Sequence, residues 1–531
     1  MVQQPDVVII GAGHNGLTAG CYLARAGVAV LVLEANPAHG GMTSSEWGVF
    51  PNAPDHGITS AALDVVFIRS SSIIKDFNLE RAGLKFIDPD PAYVYLDPND
   101  ASICLWRDPA RTATEIVRFS RRDADTWLSL CEDMDRFVDV AGHVLKMDPV
   151  RPGVAPFARL VASAIKRAPS LKRIGRILLA PPNESISERF EHQMVRDTIA
   201  PLISSGGPLT DPGSGAAFMY LGYFHRLGVG RIEGGPQRLA DALTQRFVEL
   251  GGNIRTNARV AEVIVTGGTA TGVRLAGGEQ INARLGVMAS CDPRTALLKL
   301  LPDGALPDKM RTRAERIPVN RDGTGDLKID AAFSGRLQFS RHDRWRGDGV
   351  DLRVPVQLVG SMEDHNRAYA YSAAGHMPPE PAPFWGAILN SVDPTMSPEG
   401  QDTVYFWSGW VPSRPKGLSN DEFRAMAGKA LMSTAADYYD GLDELKLDER
   451  VLTSEDLALK FNATEGSPSH VDWTLGRFGP MRPAPGFGGY RSPVPGYYLT
   501  GAGTHPGIGV QGFPGQNAAR RFLRDTRRER R

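Results

Sequence analysis

The chain has 531 residues, enough for roughly two to four domains, and its 60 Lys plus Arg balance 60 Asp plus Glu, so no net field draws nucleic acid or acidic partners. No apolar run approaches the ~18 residues of a membrane span and no stretch reads as a secretory leader, so cytoplasmic residence is expected. Cys21, Cys104, Cys131 and Cys291 form no Cys-x-x-Cys pair, which argues against a redox disulfide, a structural zinc site or an oxidising compartment.

Residues 6–34 open with Val7-Val8-Ile9-Ile10, the continuous apolar run of a strand covered on both faces, and pass directly into Gly11-Ala12-Gly13-His14-Asn15-Gly16. Residues 14–26 have helical spacing, with Leu17 and Cys21 one turn apart, and Gly27 is placed to end that helix. Residues 28–33 read as a second buried strand with Glu34 at its carboxyl end. Strand, glycine turn, helix, strand and acid in this order point to dinucleotide binding. Gly11 permits the tight turn, Gly13 lets a pyrophosphate approach the backbone, and Gly16 lets the helix pack on the strand. The anion then lies at the helix amino terminus, within reach of His14 and Asn15, while Glu34 can accept from both ribose hydroxyls of an adenosine.

Ala35 leads to a second glycine pair, Gly40-Gly41, followed by Met42 and Thr43. A nicotinamide domain has no particular need of it, whereas the longer FAD benefits from backbone amides near its phosphates and ribityl chain; a surface loop is the alternative. Asp55-His56-Gly57 could face a flavin, and His56 reads either as a turn residue or as a base. The first part of a cofactor domain is expected over 1–75.

Residues 76–224 lose the parallel-sheet pattern and read as an inserted substrate domain, with alternation at 92–96 and helical spacing over 112–145. In 155–180, Leu160, Ile165, Leu171, Ile174 and Ile177 interleave with Arg159, Lys166, Arg167, Lys172, Arg173 and Arg176, and Pro169 breaks the run. The expectation is a pair of basic amphipathic helices. They would be either a solvated face over a core, or a surface that lies on an anionic membrane or guards an apolar tunnel.

The cofactor domain is expected to return over 225–300, with Gly234-Gly235-Pro236 opening a helix, a small meander from Val260 onward and a further buried strand at 285–289. Val260 is expected against the adenine, read by main-chain contacts. Residues 301–486 form the second part of the substrate domain, with strands at 326–333 and 403–410 and a helix over 421–439. In 487–531, Tyr497-Tyr498-Leu499-Thr500 runs into Gly501, and six glycines fall between Gly501 and Gly515, where backbone must pack against something flat or anionic. A helix starts near Pro514, and Arg520 onward reads as a solvated, frayed basic tail. The fold class is α/β: a Rossmann-type FAD-binding domain, parallel sheet plus β-meander, with a discontinuous α+β substrate domain inserted into it.

The stretches VVIIGAGHNGLTAGCYLARAG, Glu34 with GGMTSS, the glycine-pair helix and meander at 234–265, and MRPAPGFGGYRSPVPGYYLTGAGTHPGIGVQGFPGQNAAR together resemble the phytoene desaturase-like flavoproteins. That group includes carotenoid desaturases and retinol saturases. The resemblance spans the chain, loosely in the substrate domain, and implies FAD with flavin contacts from Gly503, Val510, Gln511 and Gly512. Relatives carry a paired-glycine, histidine-containing segment ahead of the MRP motif; here a single glycine, Gly466, and His470 stand in that region. Related amine oxidases hold a water at the flavin with a strand lysine, and Lys328 is the candidate counterpart, against a plain strand lysine.

The reaction expected is hydrogen removal from, or addition across, a carbon–carbon bond of a hydrophobic, isoprenoid or polyene-like substrate, with a quinone or oxygen as acceptor. The flavin would supply the redox chemistry, and no nucleophile, triad or metal cluster stands out. Candidate bases are His505, Lys328, His56 and His470, with His505 close to the flavin by motif but read first as the residue that orders the glycine loop. Reduced-flavin isomerisation, amine oxidation and a non-catalytic FAD-stabilised scaffold are the alternatives; an oligomer is compatible with all of them.

Overall fold

The computed structural model describes residues 4–507 and 509–529. Its principal elements in chain order are β1 (Val7–Ile10), α1 (His14–Arg25), β2 (Val30–Leu33), β3 (Tyr93–Leu96), β4 (Ser102–Leu105), α2 (Arg121–Lys146) and α3 (Val154–Leu179). Next come α4 (Gln237–Glu249), β5 (Asn253–Arg255), β6 (Val260–Thr266), β7 (Thr269–Leu275), β8 (Gln280–Asn282) and β9 (Gly286–Ala289). The remainder are β10 (Thr324–Phe333), β11 (Val356–Val359), β12 (Phe384–Ile388), β13 (Asp402–Pro412), β14 (Lys446–Leu452), β15 (Tyr497–Leu499) and α5 (Phe513–Glu529).

Five strands from three distant stretches form one parallel sheet in the order β15-β9-β1-β2-β5. Its centre is β1, and the pleat explains why all four of its residues are apolar. Val7 and Ile9 enter a core with Leu17 of α1, Leu243 of α4 and Phe522 of α5, while Val8 and Ile10 enter a second core with Val263 and Val273 of the meander β6-β7-β8. The chain therefore has the Rossmann-like parallel sheet that the sequence predicts.

A second sheet of seven strands has the order β14-β10-β13-β12-β11-β3-β4 and is antiparallel apart from the β3–β11 pair. The two faces of β10 divide by residue type. Leu327, Ile329, Ala331 and Phe333 join Val404, Phe406 and Leu431 in an aliphatic core, whereas Lys328 and Asp330 point to the opposite face beside Trp407 and Tyr405.

Two local expectations are corrected. Residues 154–179 form one continuous helix, α3, with Pro169 inside it. Pro169 lies on an exposed face, and Arg167 to Asp139 (2.5 Å) and Arg173 to Asp133 (2.6 Å) pin both sides of it to α2, which offsets the backbone bond that proline removes. The basic tail is likewise helical as far as Glu529, its last two residues lying outside the described residues: within α5, Arg521 and Asp525 are buried, with Arg521 Nη1 3.0 Å from Asp148 and Arg521 Nε 3.2 Å from Asp525. No helix among the described residues is long and apolar enough to cross a membrane. All four cysteines are free, and burial pushes the Cys21 thiol up to about 12.

Candidate active site

Four chain segments meet at the carboxyl ends of β1, β2, β9 and β15, the edge where open parallel sheets bind ligands. The first is the glycine turn. Gly11 has φ +97°, and a Cβ on Gly16 would stand 2.1 Å from the Gly11 carbonyl oxygen, so only glycine lets α1 start this close to β1. Gly13 pairs with Gly40 in an isolated parallel bridge, and a Cβ on Gly41 would stand 3.5 Å from Gly13 Cα, which sets the second glycine pair directly against the first turn. Thr43 Oγ1 lies 3.0 Å from His14 Nδ1, and the Met42 carbonyl accepts from Ala62 N–H at 3.1 Å.

Glu34 is buried at the end of β2. Its Oε2 accepts from Ala12 N–H and its Oε1 from Asn36 N–H, each at 2.9 Å, leaving each oxygen further acceptor capacity. Ala35 stands between these contacts. The Glu34 carbonyl accepts from Ala258 N–H at 2.8 Å, which brings buried Val260, at the head of β6, beside the acid.

The last segment is the carboxyl-terminal glycine loop, which continues β15. A Cβ would strike the Ser290 carbonyl at Gly501 (2.5 Å), Pro293 at Gly503 (2.3 Å) and Ile73 at Gly512 (2.6 Å). Val510 and Gln511 are buried between these contacts and the start of α5. Arg482 of the MRP motif holds the loop from beneath: it is 1% exposed, and its Nη2 donates to the carbonyls of Ser469 (3.0 Å), Val471 (3.1 Å) and Ala502 (2.9 Å). Burial lowers its guanidinium to about 9. The staple places His470, at φ +59°, 3.4 Å from where a Gly503 Cβ would be. Burial, and then the neighbouring His470, push His14 down to about 4.

Buried polar atoms without a hydrogen-bond partner gather along this seam: His14 Nε2, Asn15 Oδ1, Thr59 Oγ1, His470 Nδ1, Thr500 Oγ1 and His505 Nδ1. So many orphaned groups on one edge fit a long, polar, multiply hydrogen-bonded cofactor.

Three of the candidate bases, His56, His505 and Lys328, are held by partners, whereas His470 keeps an unpartnered Nδ1. His56 is buried, with Nδ1 2.9 Å from Thr403 Oγ1 and Nε2 2.8 Å from Gln401 Oε1. His505 Nε2 lies 3.0 Å from the Val144 carbonyl at the end of α2, and burial lowers its imidazole to about 4. Lys328 is fully buried, pairs with Asp330 and sits 4.9 Å over the Tyr405 ring; burial lowers its ammonium to about 8 against the pull of that carboxylate. Asp330 also meets Arg450 at 3.2 Å, and Arg450 and Lys460 share Glu46, so Lys328 ends a charge network that crosses to the segment after the second glycine pair.

Beside Lys328 lies a layer of aromatic rings. Trp407 stands opposite Lys328 and Trp385, Tyr405 stacks on Trp407 at 5.9 Å, and Tyr93 meets Trp385 at 6.4 Å. Tyr405 Oη donates to the Ala61 carbonyl (3.1 Å) and Tyr93 Oη to Asp64 (2.8 Å), which sets the layer against the stretch that follows the second glycine pair. Trp407 Nε1 donates to Asp326 Oδ1 at 2.9 Å, and burial raises that carboxyl to about 7. Sequence reasoning missed Asp326, Arg482 and the aromatic layer. The alternation from Asp326 to Asp330, and a lone arginine in a Pro- and Gly-rich stretch, were the available signals.

A family model described as DAO, FAD dependent oxidoreductase, matches residues 6–424. "Pyridine nucleotide-disulfide oxidoreductase domain-containing protein 2" of Mus musculus is 28% identical, with 98% of this chain and 93% of the relative covered. A limonene dehydrogenase component of Castellaniella defragrans is 26% identical over 99% and 95%, and "Phytoene desaturase (lycopene-forming)" of Pseudescherichia vulneris 24% identical over 95% and 96%. Among solved structures, cyclohexylamine oxidase from Brevibacterium oxydans shares the fold, with a TM-score of 0.57 at 16% identity over 99% of this chain and 100% of that one. The desaturases among the relatives agree with the resemblance read from the sequence motifs. A glycine-built nucleotide cradle, orphaned polar atoms along it and a family match over most of the length converge: the chain belongs to the DAO family of FAD dependent oxidoreductases, and it is an enzyme that uses FAD.

Proposed function

We propose that the protein oxidises or reduces a carbon–carbon bond of a hydrophobic, isoprenoid or polyene-like substrate. The aromatic layer of Tyr93, Trp385, Trp407 and Tyr405 is the observation that carries this reading, because flat apolar rings at the cofactor seam suit an extended unsaturated hydrocarbon. Bound FAD supplies the two-electron acceptor or donor. The peptide groups of Gly11, Gly13, Asn15, Gly16, Gly40, Gly41 and Met42 would line its phosphates and ribityl chain, with His14 and Thr43 beside them. Glu34 and Ala35 would meet the adenosine ribose, Val260 the adenine, and Gly501, Gly503, Val510, Gln511 and Gly512 the flavin half.

In this reading the side chains orient substrate and exclude water, and none of the candidate bases needs to move a proton. His505 orders the glycine loop, His56 ties the turn at 55–57 to β13, and Lys328 braces the sheet through Asp330. Its ion pair also weakens an amine-oxidase reading, since the ammonium is committed. The proposed division is a cofactor domain of 1–75, 225–300 and 487–531 and a substrate domain of 76–224 and 301–486, supported by the separate strand sources of the two sheets. Quinone or oxygen as acceptor, cytoplasmic residence and contact of 155–180 with a membrane surface complete the proposal.

Incubation of the FAD-loaded protein with a polyene panel and a soluble quinone tests it by product analysis. A product changed by two hydrogens supports the reading. A shifted double bond with no change in oxidation level would favour the isomerase, and turnover of amines alone would overturn the proposal.

A further inference from the structure

The first half of α3 contains no fully buried residue. The helix's only buried residues, Ser170, Ile174 and Ile177, all belong to the second half. Val154, Phe157, Val161 and Ile165 recur at helical spacing along one edge of the first half and are all exposed, Val154 at 90% and Ile165 at 70%. Isolated apolar side chains on a surface need no explanation, but a contiguous strip does.

The charge pattern around the strip is one-sided. Residues 149–183 contain no Asp or Glu. Among the described residues, Arg159, Lys166 and Lys172 have no carboxylate within ion-pair distance, whereas Arg167, Arg173 and Arg176 bind carboxylates of the body. At the base of α3 opens a pocket of about 360 Å³, ringed by Lys146, Arg151, Arg520, Arg524 and Arg527 against the single carboxylate of Asp148. That carboxylate is already neutralised by Arg521 (3.0 Å) and Arg524 (2.9 Å), so the pocket presents net positive charge. Burial lowers the Lys146 ammonium, as for a cation lacking a counter-charge.

We propose that the pocket and the exposed edge of α3 form one docking surface for a membrane of anionic phospholipid, with a headgroup phosphate among the five cations and Phe157 and Ile165 in the acyl boundary. The apolar edge excludes a purely soluble phosphate as the whole answer, and the absence of acidic residues matches an anionic surface. Lys146 closes the end of α2, whose Val144 carbonyl holds His505, so docking occurs one helical turn from the glycine loop. The inference extends the hydrophobic-substrate reading by naming where such a substrate dissolves, yet its test needs no turnover.

The FAD-loaded full chain is mixed with sucrose-loaded vesicles, either of phosphatidylcholine alone or of phosphatidylcholine with phosphatidylserine, and sedimented protein is measured by flavin absorbance. Binding to the mixed vesicles only is expected, falling with salt. At roughly fivefold per basic residue, R520Q/R527Q should weaken it on the order of 30-fold. F157E/I165E should abolish it with an unchanged flavin spectrum and melting temperature. Equal binding to neutral vesicles, or undiminished binding by both variants, overturns the proposal. Calorimetric binding of inorganic phosphate without vesicle binding would assign the pocket to a soluble phosphate and overturn it too. Vesicle binding without any substrate oxidation would leave docking standing while the proposed reaction fell.

Discussion

Replacing Asp326 by Asn should flatten the dependence of stability on pH while leaving the fold intact. Asp326 Oδ1 accepts from Trp407 Nε1 at 2.9 Å, an acceptor that Asn retains. Burial is the main reason its carboxyl is raised to about 7, with nearby Asp322 adding to the rise and the Trp407 hydrogen bond opposing it. In the unfolded chain the same group titrates near ~4. Between those values the native protein holds a proton that the unfolded chain lacks, so unfolding releases it and stability falls as pH rises, becoming level above the native value. The slope is about 1.4 kcal/mol per pH unit, which over the two units from about pH 5 to pH 7 gives ~2.7 kcal/mol. Asp326 keeps partial contact with solvent, so we discount this to ~2 kcal/mol. Urea unfolding of the FAD-saturated protein reads it directly: the stability of D326N relative to the wild type should rise by ~2 kcal/mol between about pH 5 and about pH 8. A difference that is the same at both values would mean that Asp326 titrates normally and that this face of the sheet is wetter than its packing indicates.

Gly16→Ala sets a Cβ 2.1 Å from a backbone oxygen that cannot step aside, so the helix must shift by an overpacking cost of ~1–3 kcal/mol. Its signature is purified protein with little bound flavin. Arg482→Met fills the space of the side-chain stem and strands the carbonyls of Ser469, Val471 and Ala502, a loss on the order of 3 kcal/mol. Chemical denaturation measures it, and proteolysis at the glycine loop should accelerate. Lys328→Met leaves Asp330 with Arg450 alone and should cost about 3 kcal/mol while flavin content and flavin reduction survive. A K328M protein of normal stability that has lost flavin reduction would give Lys328 a catalytic role instead.

The first turn of the parallel sheet is legible because its constraints are local. A strand, a glycine turn and a helix within residues 6–34 determine one another's geometry, and Gly11, Gly16 and Glu34 sit where that geometry puts them. The carboxyl-terminal loop is legible for a related reason: where a Cβ would stand 2.3–2.6 Å from a neighbouring atom only glycine fits, so the contact leaves its mark on composition. The seven-stranded sheet depends on pairings between strands far apart in the chain. Tyr93 and Trp385 meet across nearly three hundred residues, and no periodicity within either segment announces the partner. The same holds for Arg521, whose burial depends on Asp148, so a tail that reads as frayed by composition becomes a packed helix. Pro169 misleads as a helix breaker because salt bridges to α2 supply support that lies outside the local sequence.

An anaerobic visible spectrum of the FAD-loaded protein, recorded before and after adding polyenes, terpenes and amines in turn, tests the central claim most directly. Bleaching by an unsaturated hydrocarbon, with amines inert, is the predicted result. Bleaching by amines alone, or a protein that is colourless and cannot be reconstituted with FAD, would contradict it.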